Sequence, residues 1–194
     1  MWTSDNTEAL SRVRIQYGTN MIYTDCAKGS HVSIVPNHQT GNVTPIKFRF
    51  DIACAGRLGM ELQPKQMTEE EKAFARRAIA SYKEYRDLVS GGDLYRLANP
   101  YDSDRYALMY VSKDKGRAVV FTYPLRYQSR TPVYELRLDG LDPQKTYKVR
   151  ELNTDRSCWW GDGQSFSGGW LMGHGMNPYL EHIYDSAVFI LEAN

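Results

Sequence analysis

The feature that most constrains this chain is a change of texture near its middle. Up to about residue 97, short apolar runs alternate with helical patterns. From about residue 104, strand-like runs follow one another with turn residues between them. Alternating β and α units imply parallel strands with helices packed over them. Successive strands at short intervals imply an antiparallel sandwich. The expected fold class is therefore α/β plus all-β. The first part is short for its type, because a complete eight-unit barrel takes about 250 residues. Residues 1–97 are accordingly read as the last β/α units of a (β/α)8 barrel. Residues 98–194 are read as an antiparallel β-sandwich, with the break near Ala98-Asn99-Pro100.

Local patterns fill in this outline. Residues 7–17 set Leu10, Val13, Arg14 and Tyr17 on one side of a helix that Gly18 stops. Met21-Ile22-Tyr23 reads as a short strand, and residues 31–43 as a polar, turn-rich loop. Pro45 to Ala55 is ambiguous. Phe48, Ile52 and Ala55 have helical spacing, while Phe48 and Phe50 alternate as in a strand. Leu58 to Leu62 is a further strand, closed by Pro64. The clearest helix starts at Thr68-x-x-Glu71, a capping box, and runs to about Ser90 before Gly91-Gly92. Its stripe of Phe74, Ala78, Tyr82, Tyr85 and Val89 is a packing face. In the second half, residues 106–111 and 118–123 flank a Lys113–Gly116 turn as a hairpin. Residues 133–138, 147–152 and 186–191 are the other strand patterns.

Composition narrows the function classes. Hydrophobic residues make up 42% of the chain, enough for a core. A net charge of +1 gives no electrostatic case for nucleic acid or an anionic membrane. No run approaches the roughly 20 apolar residues of a membrane span. No leader pattern is visible, which leaves a cytoplasmic or a periplasmic location open. Cys26, Cys54 and Cys158 are odd in number and widely spaced, so neither a disulfide framework nor a zinc pair is expected.

Candidate chemistry gathers at the start, in Trp2-Thr3-Ser4-Asp5-Asn6-Thr7. A carboxylate at a strand-to-helix junction, beside an indole and small hydrogen-bonding groups, can be held in one rotamer and partly shielded. Desolvation favours its neutral, proton-donating form, as a general acid requires. The plainer reading is that Asp5 or Thr7 caps the next helix. His31 and His38 share a loop, with Asp25, Asp51 and Glu61 near them in sequence, but their spacing fits no zinc pattern. No metal and no cofactor are expected. Asn37 and Gln39 are read as pinning that loop's backbone. Trp159-Trp160-Gly161-Asp162-Gly163 and Gly168-Gly169-Trp170 fit either a carbohydrate-stacking platform or burial at a domain edge.

Several motifs in order carry a family resemblance. They are Trp2 to Ala9, Arg14-Ile15-Gln16-Tyr17-Gly18, Gly29 to Ser33, Pro36 to Gly41, Leu58 to Leu62, Glu69 to Lys72, and Gly92-Asp93-Leu94-Tyr95-Arg96-Leu97. Together they resemble glycoside hydrolase family 36, the α-galactosidases of the raffinose and melibiose type. The resemblance implies a catalytic (β/α)8 barrel, a C-terminal β-sandwich and retaining hydrolysis by two carboxylates. It implies that Asp5 is the general acid/base and that Trp2 stands beside the sugar. The nucleophile, expected in a Lys-x-Asp context on an earlier strand, has no counterpart here, nor has the Cys-Ser-Gly-Gly-Gly type loop. Glu8, Thr24 and Asn42 stand where Asp, Pro and Arg are usual. The expected partners are an α-galactoside and either the missing upstream barrel half or another copy of the chain. The other reading is a non-catalytic fragment or carbohydrate-binding module.

Overall fold

The computed structural model describes residues 1, 3–127 and 134–194. Trp2 and residues 128–133 lie outside the described residues, so the roles expected of Trp2 and of Val133 have no structural counterpart here. The chain divides into two compact units, Met1–Ser90 and Gly91–Asn194.

The first unit is built on two parallel strands, β1 (Gly29–Ser33) and β2 (Arg57–Glu61), in register from Gly29 against Arg57 to Ser33 against Glu61. Parallel neighbours need a crossover, and helix α2 (Ile46–Cys54) supplies it. Helix α1 (Ala9–Thr19) precedes them and α3 (Glu69–Gly91) follows. The chain start runs along the free side of β1. The Met1 amino group donates to the Ala27 carbonyl, and Gly29 N–H donates to the Met1 carbonyl at 2.9 Å.

Helix α2 resolves the ambiguous segment. Every residue from Phe48 to Cys54 is buried, including Arg49 and Asp51. A helix covered all round shows no amphipathic period, which is why its spacing read two ways. The face of α1 differs from the expected one. Its buried residues are Ala9, Arg12, Val13 and Gln16, whereas Arg14 is exposed. Arg12 and Gln16 can be buried because backbone and hydroxyl oxygens accept from their terminal nitrogens.

Met21-Ile22-Tyr23 is not a strand. The Thr19 carbonyl accepts from both Ile22 and Tyr23 N–H, so these backbone groups close a turn and the three side chains are exposed. Helix α3 starts as its capping box requires. Thr68 Oγ1 accepts from Glu71 N–H and Glu71 Oε2 accepts from Thr68 N–H, each at 3.1 Å. Tyr82 ties this helix to β2, its hydroxyl donating to Gly56 O at 3.1 Å and accepting from Leu58 N–H at 3.2 Å.

Among the described residues the second unit is built on a six-stranded antiparallel sheet. In chain order its strands are β3 (Asp93–Ala98), β4 (Arg105–Val111), β5 (Arg117–Pro124), β6 (Thr146–Leu152), β7 (Ser165–Ser167) and β8 (Ala187–Ala193), and in space they run β3-β4-β5-β8-β6-β7. Residues 93–98 pair with β4 from Asp93 against Val111 onward, so the units divide at Ser90 rather than near Ala98. The core packs Met109, Val120, Tyr147, Val149, Phe189 and Leu191 of the sheet against Leu136, Leu138, Trp159, Leu171 and Met176. Among the described residues that covering layer is irregular chain, the short helix α4 (Gly168–Gly173) and one isolated bridge between Leu136 and Met176. Of the expected strand 133–138, the described residues 134–138 make, in backbone pairing, only this bridge and a bond from Leu138 N–H to Leu171 O at 3.2 Å.

Replacing Thr68 by Ala removes one half of the capping box. The first unit is expected to lose about 1 kcal/mol, read by urea unfolding, while Thr68→Ser is expected to keep the wild-type midpoint.

Candidate functional site

Asp5 sits in a bend between the chain start and α1, and its position is set by its neighbours. Ser4 Oγ accepts from Asn6 N–H at 3.1 Å and Asn6 Oδ1 accepts from Glu8 N–H at 3.0 Å. Glu8 then closes the series. Its carboxylate accepts from Leu10 N–H at 3.1 Å, and from Ser11 N–H and Oγ–H at 2.7 and 2.8 Å. Side-chain oxygens thus hold every second backbone N–H from Asn6 to Leu10. The helix cap is Glu8, not Asp5 or Thr7. Thr7 is buried and its hydroxyl accepts from Asn37 Nδ2 at 3.4 Å. Asp5 is exposed, where a partly shielded carboxylate was expected.

Arg12 anchors this bend from below. Its Nη2 donates to Thr3 Oγ1 at 2.8 Å and to Gly29 O at 3.2 Å, and its Nη1 donates to Ser4 O at 3.3 Å. Burial lowers the guanidinium pKa, and the negative charge of Glu61 opposes that shift. Gln16, one turn further, donates to Ser30 Oγ at 2.6 Å and Ile52 O at 3.3 Å, joining α1 to β1 and α2.

Strand pleating separates the residues of β1. Ser30 and Val32 are buried, whereas Gly29 and His31 are half-buried. His31 stands opposite Gly59 in register, and a Cβ on Gly59 would lie 1.9 Å from His31 Cδ2. Glycine is needed there because the imidazole lies over the strand. Burial lowers the His31 pKa most, Glu61 raises it and Arg12 lowers it. Arg12, His31 and Glu61 thus form one electrostatic group beside the Asp5 bend. A hollow of about 330 Å³ opens next to it, lined by Met1, Gly29, His31, Arg57 and Leu58.

A second hollow, of about 350 Å³, lies past the carboxyl ends of both strands and includes Ile34, Val35, Gln63 and Met67. Arg49 borders it, donating to Ser33 O at 2.8 Å and to Glu71 Oε1 at 3.1 Å. Above β1, Asn37 pins the loop as expected, its Oδ1 accepting from Gln39 N–H at 3.0 Å and Thr40 N–H at 3.1 Å. Gln39 and His38 are exposed. Among the described residues no three metal-ligating side chains converge. Arg12, Arg49 and Gly59 were missed by the sequence reading. Only the helical spacing of Arg12 with Gln16 offered a hint, and burial of an arginine runs against that pattern.

Comparison with known proteins assigns this arrangement. Residues 1–92 match the Melibiase family, and residues 105–191 match the glycosyl hydrolase family 36 C-terminal domain. The chain belongs to glycoside hydrolase family 36. It is 43% identical over 151 residues to alpha-galactosidase AgaA of Geobacillus stearothermophilus, an alignment covering 78% of this chain and 21% of that one. Among solved structures, family 36 alpha-galactosidase AgaB of the same organism superposes with a TM-score of 0.90 at 38% identity. That superposition covers 99% of this chain and 25% of AgaB. A variant of AgaA in complex with raffinose gives 0.89 at 36% identity, covering 98% and 25%. The chain therefore spans about a quarter of the length of these relatives.

The charge group around His31 can be read by NMR titration. The His31 midpoint is expected below that of a solvent-exposed histidine, and Glu61→Gln is expected to lower it further by removing the opposing charge. Because the folded-state pKa is depressed, the contribution of His31 to stability is present above its unfolded pKa of about 6.5. It is expected to be lost as pH falls through the folded value.

Proposed function

We propose that this chain supplies the acid/base half of a retaining α-galactosidase site, together with the β-rich domain that follows the catalytic barrel. The observation that carries the reading is the pinned bend at Ser4-Asp5-Asn6, held against β1 by Arg12. The parallel pair β1 and β2, with Met1 bonded along the other side of β1, supports an arc of three adjacent barrel strands. In such barrels the catalytic groups stand at the carboxyl ends of the strands, where Asp5 follows the first of the three.

The chemistry follows from the two-carboxylate scheme. Asp5 in its acid form gives its proton to the glycosidic oxygen as the C1–O bond breaks. A second carboxylate takes the anomeric carbon, and Asp5 as base then draws a proton from the water that releases galactose. The two carboxyl groups must stand about 5–5.5 Å apart. In this proposal the second comes from outside these 194 residues. The exposure of Asp5 fits that arrangement, because in this reading the elements that desolvate it come from outside these residues as well. Substrates are terminal α-galactosides of the raffinose and melibiose type. The proposed partner is the rest of a barrel or a second copy of the chain.

The test is turnover of p-nitrophenyl α-galactoside. The 194-residue chain alone is expected to give no appreciable rate. Fusing it behind the upstream strands of a family 36 relative is expected to restore turnover, and Asp5→Asn in that fusion is expected to cost about 10²–10⁴-fold in kcat. Ordinary glycosidase rates from the isolated chain, or full activity in the Asp5→Asn fusion, would contradict the proposal.

A further inference from the structure

The second unit carries an aromatic corner that the proposed hydrolysis does not use. Trp159 is 3% exposed and belongs to the core, but its neighbour Trp160 is 59% exposed. Both indole N–H groups donate to the same atom, Asn177 Oδ1, each at 2.9 Å. Two donors converging on one atom identify it as the carboxamide oxygen. They also leave the Asn177 NH₂ as a donor for something else. The Trp160 backbone is held as well, its carbonyl accepting from Gln164 Nε2 at 3.1 Å.

The walls of the corner are rings. Trp160 stands nearly perpendicular to Phe166 and Trp170, at 84° to each, with centroids 5.7 and 6.5 Å away. Phe166 and His174 both lie nearly parallel to Trp170. Gly161 makes the cluster possible, since a Cβ there would come within 2.6 Å of the Trp159 ring and 2.9 Å of Phe166. Core packing explains Trp159. It does not explain a second indole that is fixed by the same asparagine and yet leaves most of its surface in water.

We propose that Trp160, with Asn177 and the Trp170–His174 edge, is a non-catalytic sugar-binding platform that takes a terminal galactosyl unit. An indole whose N–H is already satisfied presents only its apolar surface, and its immobilisation adds no ordering cost on binding. A galactose ring suits such a surface. Its axial O4 leaves the C–H groups of C3, C4 and C5 together on one face, while its hydroxyls point to the rim, where the Asn177 NH₂ and the exposed His174 and Gln164 can meet them. The choice of galactose rests on the α-galactosidase reading; the platform itself does not depend on Asp5.

The test is a raffinose titration of the 194-residue chain, followed by the NMR signals of the indole N–H groups. A saturable shift confined to Trp160, Trp159 and Trp170 is expected, with Kd on the order of millimolar. Trp160→Ala is expected to abolish it with the Trp159 signal otherwise in place. Asn177→Ala is expected to weaken binding several-fold, and Asp5→Asn to leave it unchanged. The absence of any shift at tens of millimolar, or a shift lost in Asp5→Asn but kept in Trp160→Ala, would overturn the platform. An equal shift with maltose would overturn the galactosyl assignment. A Trp160 signal that no longer responds in the barrel-bearing fusion would make the corner a domain contact instead. An inactive fusion would count against the catalytic proposal alone, because this titration requires no turnover.

Discussion

The structure of the first unit depends on one buried guanidinium. Arg12 gives its two terminal nitrogens to Thr3, Ser4 and Gly29, and so ties the chain start, the first helix and the first strand together at one point. A buried charge is costly unless it is hydrogen-bonded and balanced. Here oxygens accept from its two terminal nitrogens and Glu61 supplies the opposing charge. Asp5 follows directly on the residues that Arg12 holds, so the placement of the carboxylate is a consequence of this tie. Glu8 completes it from the other side by capping the helix that carries Arg12.

The two units use opposite solutions to the same problem of satisfying backbone groups. In the first, parallel strands receive cover from helices, and the all-round burial of α2 shows how closely they are packed. In the second, antiparallel pairing builds a six-stranded sheet whose one face is filled by Leu136, Leu138, Trp159, Leu171 and Met176 from irregular chain. Rings accumulate at the edge of that filling, where Trp159 turns inward and Trp160 outward about a shared asparagine.

Much of this was legible from residue patterns. The capping box at Thr68 and Glu71, the hairpin of β4 and β5, the alternation of β6, the short run of β2 closed by Pro64 and the near-continuous apolar run of β8 all declared themselves in local residue patterns. What failed did so for physical reasons. Met21-Ile22-Tyr23 looked like a strand because apolar residues favour sheets, but its N–H groups were already committed to the end of α1. The buried face of α1 was misread because Arg12 and Gln16 are polar, and polarity alone cannot show that acceptors await them inside. The catalytic reading of Asp5 comes from motif order rather than from its surroundings. The cap that competed with its catalytic reading turned out to be Glu8.

The central claim is that Asp5 protonates the departing oxygen, and leaving-group dependence tests it most directly. In the barrel-bearing fusion, Asp5→Asn should lower kcat/KM, which reports the bond-breaking step, far more for raffinose, whose leaving alkoxide needs a proton, than for an aryl galactoside with an acidic phenol, whose loss in kcat comes from the later base step. The difference should shrink steadily as the leaving group becomes more acidic. Equal losses in kcat/KM across leaving groups of all acidities would contradict the assignment and return Asp5 to a structural role.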